Sequence, residues 1–312
     1  MPAATNTNTA ASMTAANLAA REVEFVSEFN KTWDALREIL GVMRPIRKQP
    51  GTVLESVEAT VTLADSVAEG EDIGFSKVDY TKSVKEDLTV EKYAIATTIE
   101  AVAKYGAKLA VEKAEDAFKD QLTSTVMGRF YTFLQSGTLT STEASFQMAV
   151  AMAIGKVADK FKKLHKGIGD IVVFVNTLDA YRYLGAANLT IQSKFGIQYV
   201  EDFMGAKRMI LSSDIAEGKV IATPVNNIDL YYVDPNDSDF VQLGLEFTVE
   251  GETNLIGYHL EGNYKNATGE GYALMGMKLF AEYIDGIAVV TIATDATAAT
   301  DADSSDSNGG EG

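Results

Sequence analysis

The sequence predicts an α+β protein in which helices and antiparallel strands are partly segregated. Three observations carry this. Two long stretches, Arg21–Leu40 and Ala107–Gln135, repeat apolar residues every three or four positions; a period-two alternation runs from Val53 onward; and short apolar runs separated by glycine, asparagine and aspartate turns fill Ile171 to Ile292. No repeat of fixed period is visible.

Residues 1–20 are small, polar and uncharged, with almost nothing to bury, and are expected to form a flexible arm. From Arg21 the residues Val23, Val26, Phe29, Trp33, Leu36 and Leu40 define one helix face, ended by Gly41 and Pro45. Val53, Val57, Ala59, Val61 and Leu63 then alternate with Thr52, Leu54, Ser56, Glu58, Thr60 and Thr62, Glu55 being the single break on the apolar face, as in a half-buried strand. After the acidic, glycine-bearing stretch Ala64–Gly74, the alternation resumes at Val78, Tyr80 and Val84 and continues through Leu88, Val90, Ala94 and Ala96. The spacing predicts one long antiparallel hairpin with a mobile acidic tip.

Val111, Ala114, Phe118, Leu122, Val126, Phe130 and Phe133 fall on one stripe, giving a helix over Ala107–Gln135 roughly 40 Å long at about 1.5 Å per residue. Gly128 inside it costs about 1 kcal/mol against Ala, which predicts a close contact or a slight bend there. A second amphipathic helix covers Ser145–His165, with Lys156, Lys160, Lys162 and Lys163 outward. The continuous apolar run Ile171–Val175 predicts a strand buried on both faces. A helix over Thr177–Ala187, capped by Asn176 or Thr177, follows. Strands are predicted around Ile197–Val200, Arg208–Leu211, Lys219–Thr223, Leu230–Val233, Phe240–Glu250, Leu255–Tyr264 and Ile287–Ile292, with Tyr272–Phe280 strand or helix. Ala293–Gly312 carries five acidic and no basic residues and no large apolar side chain, so disorder is expected.

Composition narrows function before any motif does. With 46% hydrophobic and 23% charged residues in 312, the chain is globular in type. Its 27 basic and 44 acidic residues leave a net charge of -17, which repels a phosphate backbone and argues against reading nucleic-acid sequence. Cysteine is absent, excluding disulfides, thiolate nucleophiles and zinc–thiolate sites. The first 20 residues lack the basic and apolar regions of a signal peptide, and no apolar run approaches the roughly 18 residues that span a bilayer, so neither export by that route nor a membrane partner is expected.

Chemistry is scarce. His165 ends a lysine-rich helix, where it complements the helix dipole, and His259 lies almost a hundred residues away. No G-x-S-x-G elbow, H-E-x-x-H pair or phosphate loop occurs. Gly167-Ile168-Gly169 lacks the third glycine of a dinucleotide site and reads as a turn. Asp234–Asp239 spaces oxygen ligands like a calcium loop, but Asp239 and Leu245 stand where glycine and glutamate are needed, so it reads as a connector. Glu69, Glu71 and Asp72 read as a solvated loop tip, and Lys77, Lys82 and Lys85 as a solvated strand face. The sequons at Asn188 and Asn266 have no meaning without secretion. The expectation is no catalytic, cofactor-binding or metal-binding residue: not an enzyme.

A charge-poor arm, a protruding hairpin and a rod-like helix cannot all bury their surfaces in one globule, and they make sense where subunits reach over one another in a symmetric shell. In its order of elements the chain resembles the major capsid proteins of tailed bacteriophages, the family with the Hong Kong 97 fold. Residues 1–50 resemble the family's N-terminal arm, 51–99 its extended E-loop hairpin, and 100–144 with 234–292 its peripheral domain, Ala107–Gln135 being the spine helix. Residues 145–233 resemble the axial domain, with Ile171–Asp179 similar to a common strand-then-helix segment; Leu279–Val290 is similar to the closing strand, and 293–312 would be a disordered acidic tail.

The resemblance implies a structural protein that forms hexamers and pentamers of an icosahedral or prolate shell around double-stranded DNA, without sequence-specific binding. It implies a portal, a scaffold and, in some shells, decoration proteins as partners, assembly in the host cytoplasm, and residence in the virion. The short arm implies a separate scaffolding protein or an already matured chain. Neither residue of the family's Lys–Asn cross-link can be matched here. Two further shell or surface classes share the features, an encapsulin-type nanocompartment and a surface-layer or adhesion module; an acidic hydrolase using buried carboxylates is the alternative from another class.

Overall fold

A computed structural model describes residues 15–41, 45–67, 69–70, 72–185, 191–194, 197–250 and 253–293. The expectations for residues 1–14 and 294–312 lie outside the described residues.

Helix α1 (Ala15–Leu40) begins at Ala15 rather than Arg21, so part of the expected arm is helical. Ala-rich sequence needs no apolar stripe to be helical, because Ala loses no side-chain entropy. The buried face is Phe25, Val26, Phe29, Trp33, Leu36, Ile39 and Leu40; Val23, predicted to share it, is exposed. Gly41, at φ +74°, ends the helix in a conformation that L side chains rarely adopt. The two-residue β1 (Ile46–Arg47) leads into β2 (Val53–Thr62), which pairs antiparallel with β3 (Lys77–Asp87) across a bulge between Glu55 and Val57.

The hairpin ends there. The alternation through Ala94 and Ala96 belongs to β4 (Glu91–Thr98), a separate strand in a different sheet, because period two marks a strand without naming its partner. Thr98 then caps α2 (Ile99–Tyr105), a helix not predicted, its hydroxyl accepting from the Ala101 amide. After Gly106 at φ +83° comes α3 (Ala107–Leu134), 28 residues and about 42 Å long. Its fully buried residues, Leu122, Val126, Met127, Phe130, Tyr131 and Leu134, all lie in its second half, while Val111, Ala114, Glu115 and Phe118 in the first are half-buried. Gly128 makes no close contact: a Cβ there would meet open space, and its carbonyl accepts from the Thr132 hydroxyl. The close approach is at Gly137, whose Cβ would lie 2.7 Å from the Ile287 carbonyl oxygen.

Beyond an unpredicted strand, β5 (Leu139–Glu143), Ser145 caps α4 (Phe146–Lys163). Then follow β6 (Ile171–Asn176) and α5 (Thr177–Leu184), with the Asn176 carboxamide accepting from Leu178 N at 2.8 Å. The helix ends at Leu184 with Gly185 as its cap, short of the expected Ala187. Next come β7 (Gln192–Lys194), β8 (Ile197–Phe203), β9 (Ala206–Ser212), β10 (Lys219–Pro224) and β11 (Ile228–Val233). The strand predicted over Phe240–Glu250 does not form. Asp237 caps a short helix, α6 (Ser238–Val241), and only Thr248 bridges to Tyr258. The chain closes with β12 (Ile256–Asn263), the 14-residue β13 (Thr268–Ala281) and β14 (Ala288–Ile292).

Three sheets result. Seven strands run in the order β5-β14-β10-β6-β9-β8-β7; a second sheet runs β1-β11-β13-β12 with β4 also on β13; β2 and β3 stand alone. Strand membership crosses the domain boundaries expected from the sequence. β5 and β14, grouped there with the spine helix, lie in the seven-stranded sheet, while β11, grouped with residues 145–233, pairs with β13. β6 is buried at every position. Its Val172 and Phe174 face α1, α3 and the second sheet, and its Ile171, Val173 and Val175 face α4 and α5.

Phe130 meets Phe174 edge-on at 5.8 Å between ring centroids, fully buried where the long helix crosses the sheet. Phe130→Ala is expected to cost about 3–5 kcal/mol in unfolding free energy through lost transfer and a residual cavity. Denaturant titration followed by the fluorescence of Trp33, the sole tryptophan, measures it.

Candidate assembly interface

Among the described residues, the hairpin's buried contacts with the body lie at its base. Leu54 and Leu88 are buried against Val233 and Phe280, the Leu88 amide donates to the Thr52 carbonyl at 3.1 Å, and the Lys278 ammonium donates to the Asp87 carbonyl at 3.3 Å. Leu54 has the opposite parity to the alternating valines. Those valines do not make a half-buried face within their own chain: Val53 and Val61 are exposed, as are Val78 and Tyr80.

The tip carries several of the most exposed large apolar side chains among the described residues. Leu63 is 79%, Ile73 84% and Phe75 101% exposed, flanked by exposed Asp65, Glu69 and Asp72. Burying each of these apolar side chains is worth about 1.5–3 kcal/mol. The sequence expectation of a solvated acidic tip caught the carboxylates and missed Ile73 and Phe75, whose presence in a glycine-bearing loop was the available signal. Other uncovered apolar side chains lie on α2 and the start of α3 (Ile99, Tyr105, Leu109) and on α4 and α5 (Met148, Met152, Leu178, Tyr181).

The body from which the hairpin projects is fastened by charges that no local pattern disclosed. Arg21 on α1 pairs with Glu115 on α3 at 2.5 Å, and the Tyr258 hydroxyl donates to the same carboxylate at 3.5 Å. Glu22 is buried and accepts from the Leu260 amide at 2.6 Å and the Thr248 hydroxyl at 2.5 Å, with His259 Nδ1 at 3.3 Å. Phe25 stacks on Tyr258 at 3.9 Å. Burial pushes the Glu115 carboxyl above the usual glutamate range, with Arg21 opposing it, and burial beside Glu115 raises the Tyr258 phenol. A cavity of about 320 Å³ opens beside this cluster, between α1, α3 and strands β4, β12 and β13.

The remaining singled-out residues resolve into structural roles. Asp234 accepts from Asn236 N, Asn254 Nδ2 and Arg47, closing the connector internally, and Asn226 clasps the turn at Gly167 and Gly169 through both its amide atoms. His165 sits at φ +53° just past α4 and far from His259 in sequence. Lys77 pairs with Asp79 at 3.0 Å; the side chains of Lys82 and Lys85 lie outside the described residues. The other carboxylate raised by burial, Asp229, accepts from the Tyr231 hydroxyl on β11 and does not line the cavity that holds Glu115. The two raised carboxylates therefore form no acid–base pair.

No family model matches the chain, and no curated protein sequence matches it. Its fold does match solved structures. The capsid asymmetric unit of cyanophage A-1(L) superposes at TM-score 0.53 with 10% identity, over 81% of this chain and 90% of that one. A structure from Mycobacterium phage Che8 does so at 0.51 with 12% identity, over 77% and 84%. One from Mycobacterium phage Patience does so at 0.50 with 10% identity, over 91% and 90%. The molecule is thus an α+β protein with the fold of a tailed-phage capsid subunit. The chain carries a hairpin, β2–β3, and a long helix, α3, as the sequence predicted, the hairpin being shorter than expected.

Two measurements probe these elements. Because the folded Glu115 pKa is raised, its protonated form is favoured by folding, and its contribution to stability is greatest below the ordinary glutamate value and is lost as pH rises through the raised one. The stability of the native chain relative to Glu115→Gln should therefore decline as pH rises across that acid window, read from urea midpoints. Separately, Ile73→Asp with Phe75→Asp should leave the unfolding free energy within about 0.5 kcal/mol, since both sites are uncovered in the chain, while removing any self-association seen by sedimentation.

Proposed function

We propose that this chain is a structural, non-enzymatic major capsid protein. Copies associate into hexamers and pentamers that close an icosahedral or prolate shell around double-stranded DNA, in a virion assembled in the host cytoplasm, with portal and scaffolding proteins as partners. The observation that carries this reading is the hairpin. On a fold shared with a phage capsid subunit, it extends away from its own core with Leu63, Ile73 and Phe75 uncovered, and a neighbouring copy supplies the missing cover.

In this reading the seven-stranded sheet with α4 and α5 is the axial unit, and α3 with the sheet centred on β13 is the peripheral one, so β5 and β14 join the first and β11 the second. Function resides in contacts between copies. The net charge of -17 suits a container to which packed DNA should not adhere.

An encapsulin-type shell is the second reading, favoured by one feature: the cavity of about 320 Å³ beside Arg21 and Glu115, which can take a side chain of a cargo segment. The contents of the particles separate the two readings, nucleic acid for the first and a cargo protein for the second.

Negative-stain electron microscopy of the purified protein, with size-exclusion chromatography at several concentrations, is expected to give closed shells or capsomer rings. A concentration-independent monomer or dimer without rings, even with a scaffold co-expressed, would overturn the proposal. Deleting Ser66–Gly74 should leave a folded subunit with an unchanged Trp33 unfolding transition and no particles; normal particles from that deletion would refute the role given to the tip.

A further inference from the structure

On a chain of net charge -17, one helix end concentrates basic residues. Lys156, Lys160, Lys162, Lys163 and Lys166 crowd the last turns of α4 and the residues just beyond, with His165 among them. Part of this charge is used locally. Lys160 pairs with Asp285 at 2.6 Å, Lys163 with Asp159 at 2.6 Å, and the Lys166 ammonium lies 3.5 Å from the Tyr283 ring centroid. Lys162, Lys163, His165 and Lys166 remain exposed, at the end of the helix where the macrodipole is negative. Lys156 and Lys160 are half-buried, and Lys162, Lys163 and Lys166 make the exposed cationic face able to take a polyanion.

We infer that the occupant of this face is the acidic segment of the same chain that follows β14, residues 294–312. Charge complementarity is direct: the segment carries Asp295, Asp301, Asp303, Asp306 and Glu311 and no basic residue. Its starting point and length also fit. α4 runs antiparallel to β14, because Lys160 near its C-terminus meets Asp285 ahead of β14, whereas Phe146 at its N-terminus lines one cleft with Ile292 and Ala293. The described chain therefore stops beside the start of α4, and the lysines lie at the far end of that helix.

The 18 residues of α4 span about 27 Å. At about 3.3 Å per extended residue, Asp301 reaches about 26 Å from Ala293 and Asp306 about 43 Å. Asp301, Asp303 and Asp306 thus fall within range of Lys162, Lys163 and Lys166 when the segment follows α4. Asp295 stays near its exit, beside the cleft that holds Arg182. Such a segment covers this cationic face and keeps other polyanions off it. The inference does not depend on the chain building a shell.

Zero-length carbodiimide coupling joins a lysine amine to a carboxylate only where the two touch, and the full-length protein is suited to it. Mass spectrometry should find Asp301, Asp303 or Asp306 joined to Lys162, Lys163 or Lys166. The products should be lost at 1 M salt, where charges are screened beyond about 3 Å. In a mixture of unlabelled and nitrogen-15-labelled protein the joined peptides should be of one isotope. Coupling to other lysines only, or peptides of mixed isotope, would overturn the assignment. As a second readout, deletion of 294–312 should increase retention on a heparin column, and Lys162→Glu, Lys163→Glu and Lys166→Glu together should cancel that increase. Equal retention of the full-length and shortened chains, or an increase that the triple variant retains, would also overturn it.

Discussion

The constraint on which the rest of this structure depends is the burial of β6 on both faces. A strand reading Ile-Val-Val-Phe-Val has no polar side to offer solvent, so it is stable only inside a sheet covered by two layers. Its neighbours β9 and β10 saturate its backbone from either edge, one parallel and one antiparallel. The side chains then dictate the cover. Ile171, Val173 and Val175 require α4 and α5, while Val172 and Phe174 require α1 and the second half of α3. Once α3 is fixed against Phe174 at its C-terminal half, its N-terminal half runs over the second sheet, where Glu115 meets Tyr258 of β12 and a cavity opens toward β4 and β13.

The second layer is fastened differently from the first. α4 meets the sheet through apolar contact with a capped N-terminus, whereas α1 also brings two charges to its packed face. Burying charge costs several kcal/mol per ion unless each is paired and hydrogen-bonded. Here the requirement is met: Glu115 has Arg21 and Tyr258, and Glu22 has a backbone amide, a hydroxyl and an imidazole. An apolar stripe alone lets a helix slide or rotate along a sheet. Acceptors that fit only the Leu260 amide and the Thr248 hydroxyl fix one position for α1, and with it the point from which residues before Ala15 depart.

These two kinds of fastening explain what was legible beforehand. Elements whose identity is local were readable: the apolar run of β6, the caps Ser145 and Asn176, the stripe through Leu122 and Phe130. Elements defined by a distant partner were not. Alternation marked β4 as a strand and then attached it to the hairpin, because nothing in Glu91–Thr98 names β13 as its partner. The β-rich residues of Phe240–Glu250 pair with β12 only through Thr248, and Asp237 captured the start of the segment as a helical cap. At the candidate interface, the protrusion of the hairpin was legible from its length. The anchors of the body were not, since Arg21 and Glu115 are 94 residues apart and Glu22 and Leu260 are 238 apart.

Exposed apolar side chains on a subunit of net charge -17 present an apparent conflict, and their placement resolves it. An uncovered strand pair with Leu63, Ile73 and Phe75 at its end is a hazard for edge-to-edge aggregation. Asp65, Glu69 and Asp72 stand in the same loop, so two tips that meet head-on bring like charges together as well as apolar surface. That repulsion is screened beyond about 8 Å at physiological ionic strength, so it acts only at contact distances and scarcely slows the approach of subunits. A surface that offers apolar cover without carboxylates opposite is favoured over another tip. In the proposed assembly the same few residues supply both the attraction between copies and the penalty against pairing them the wrong way.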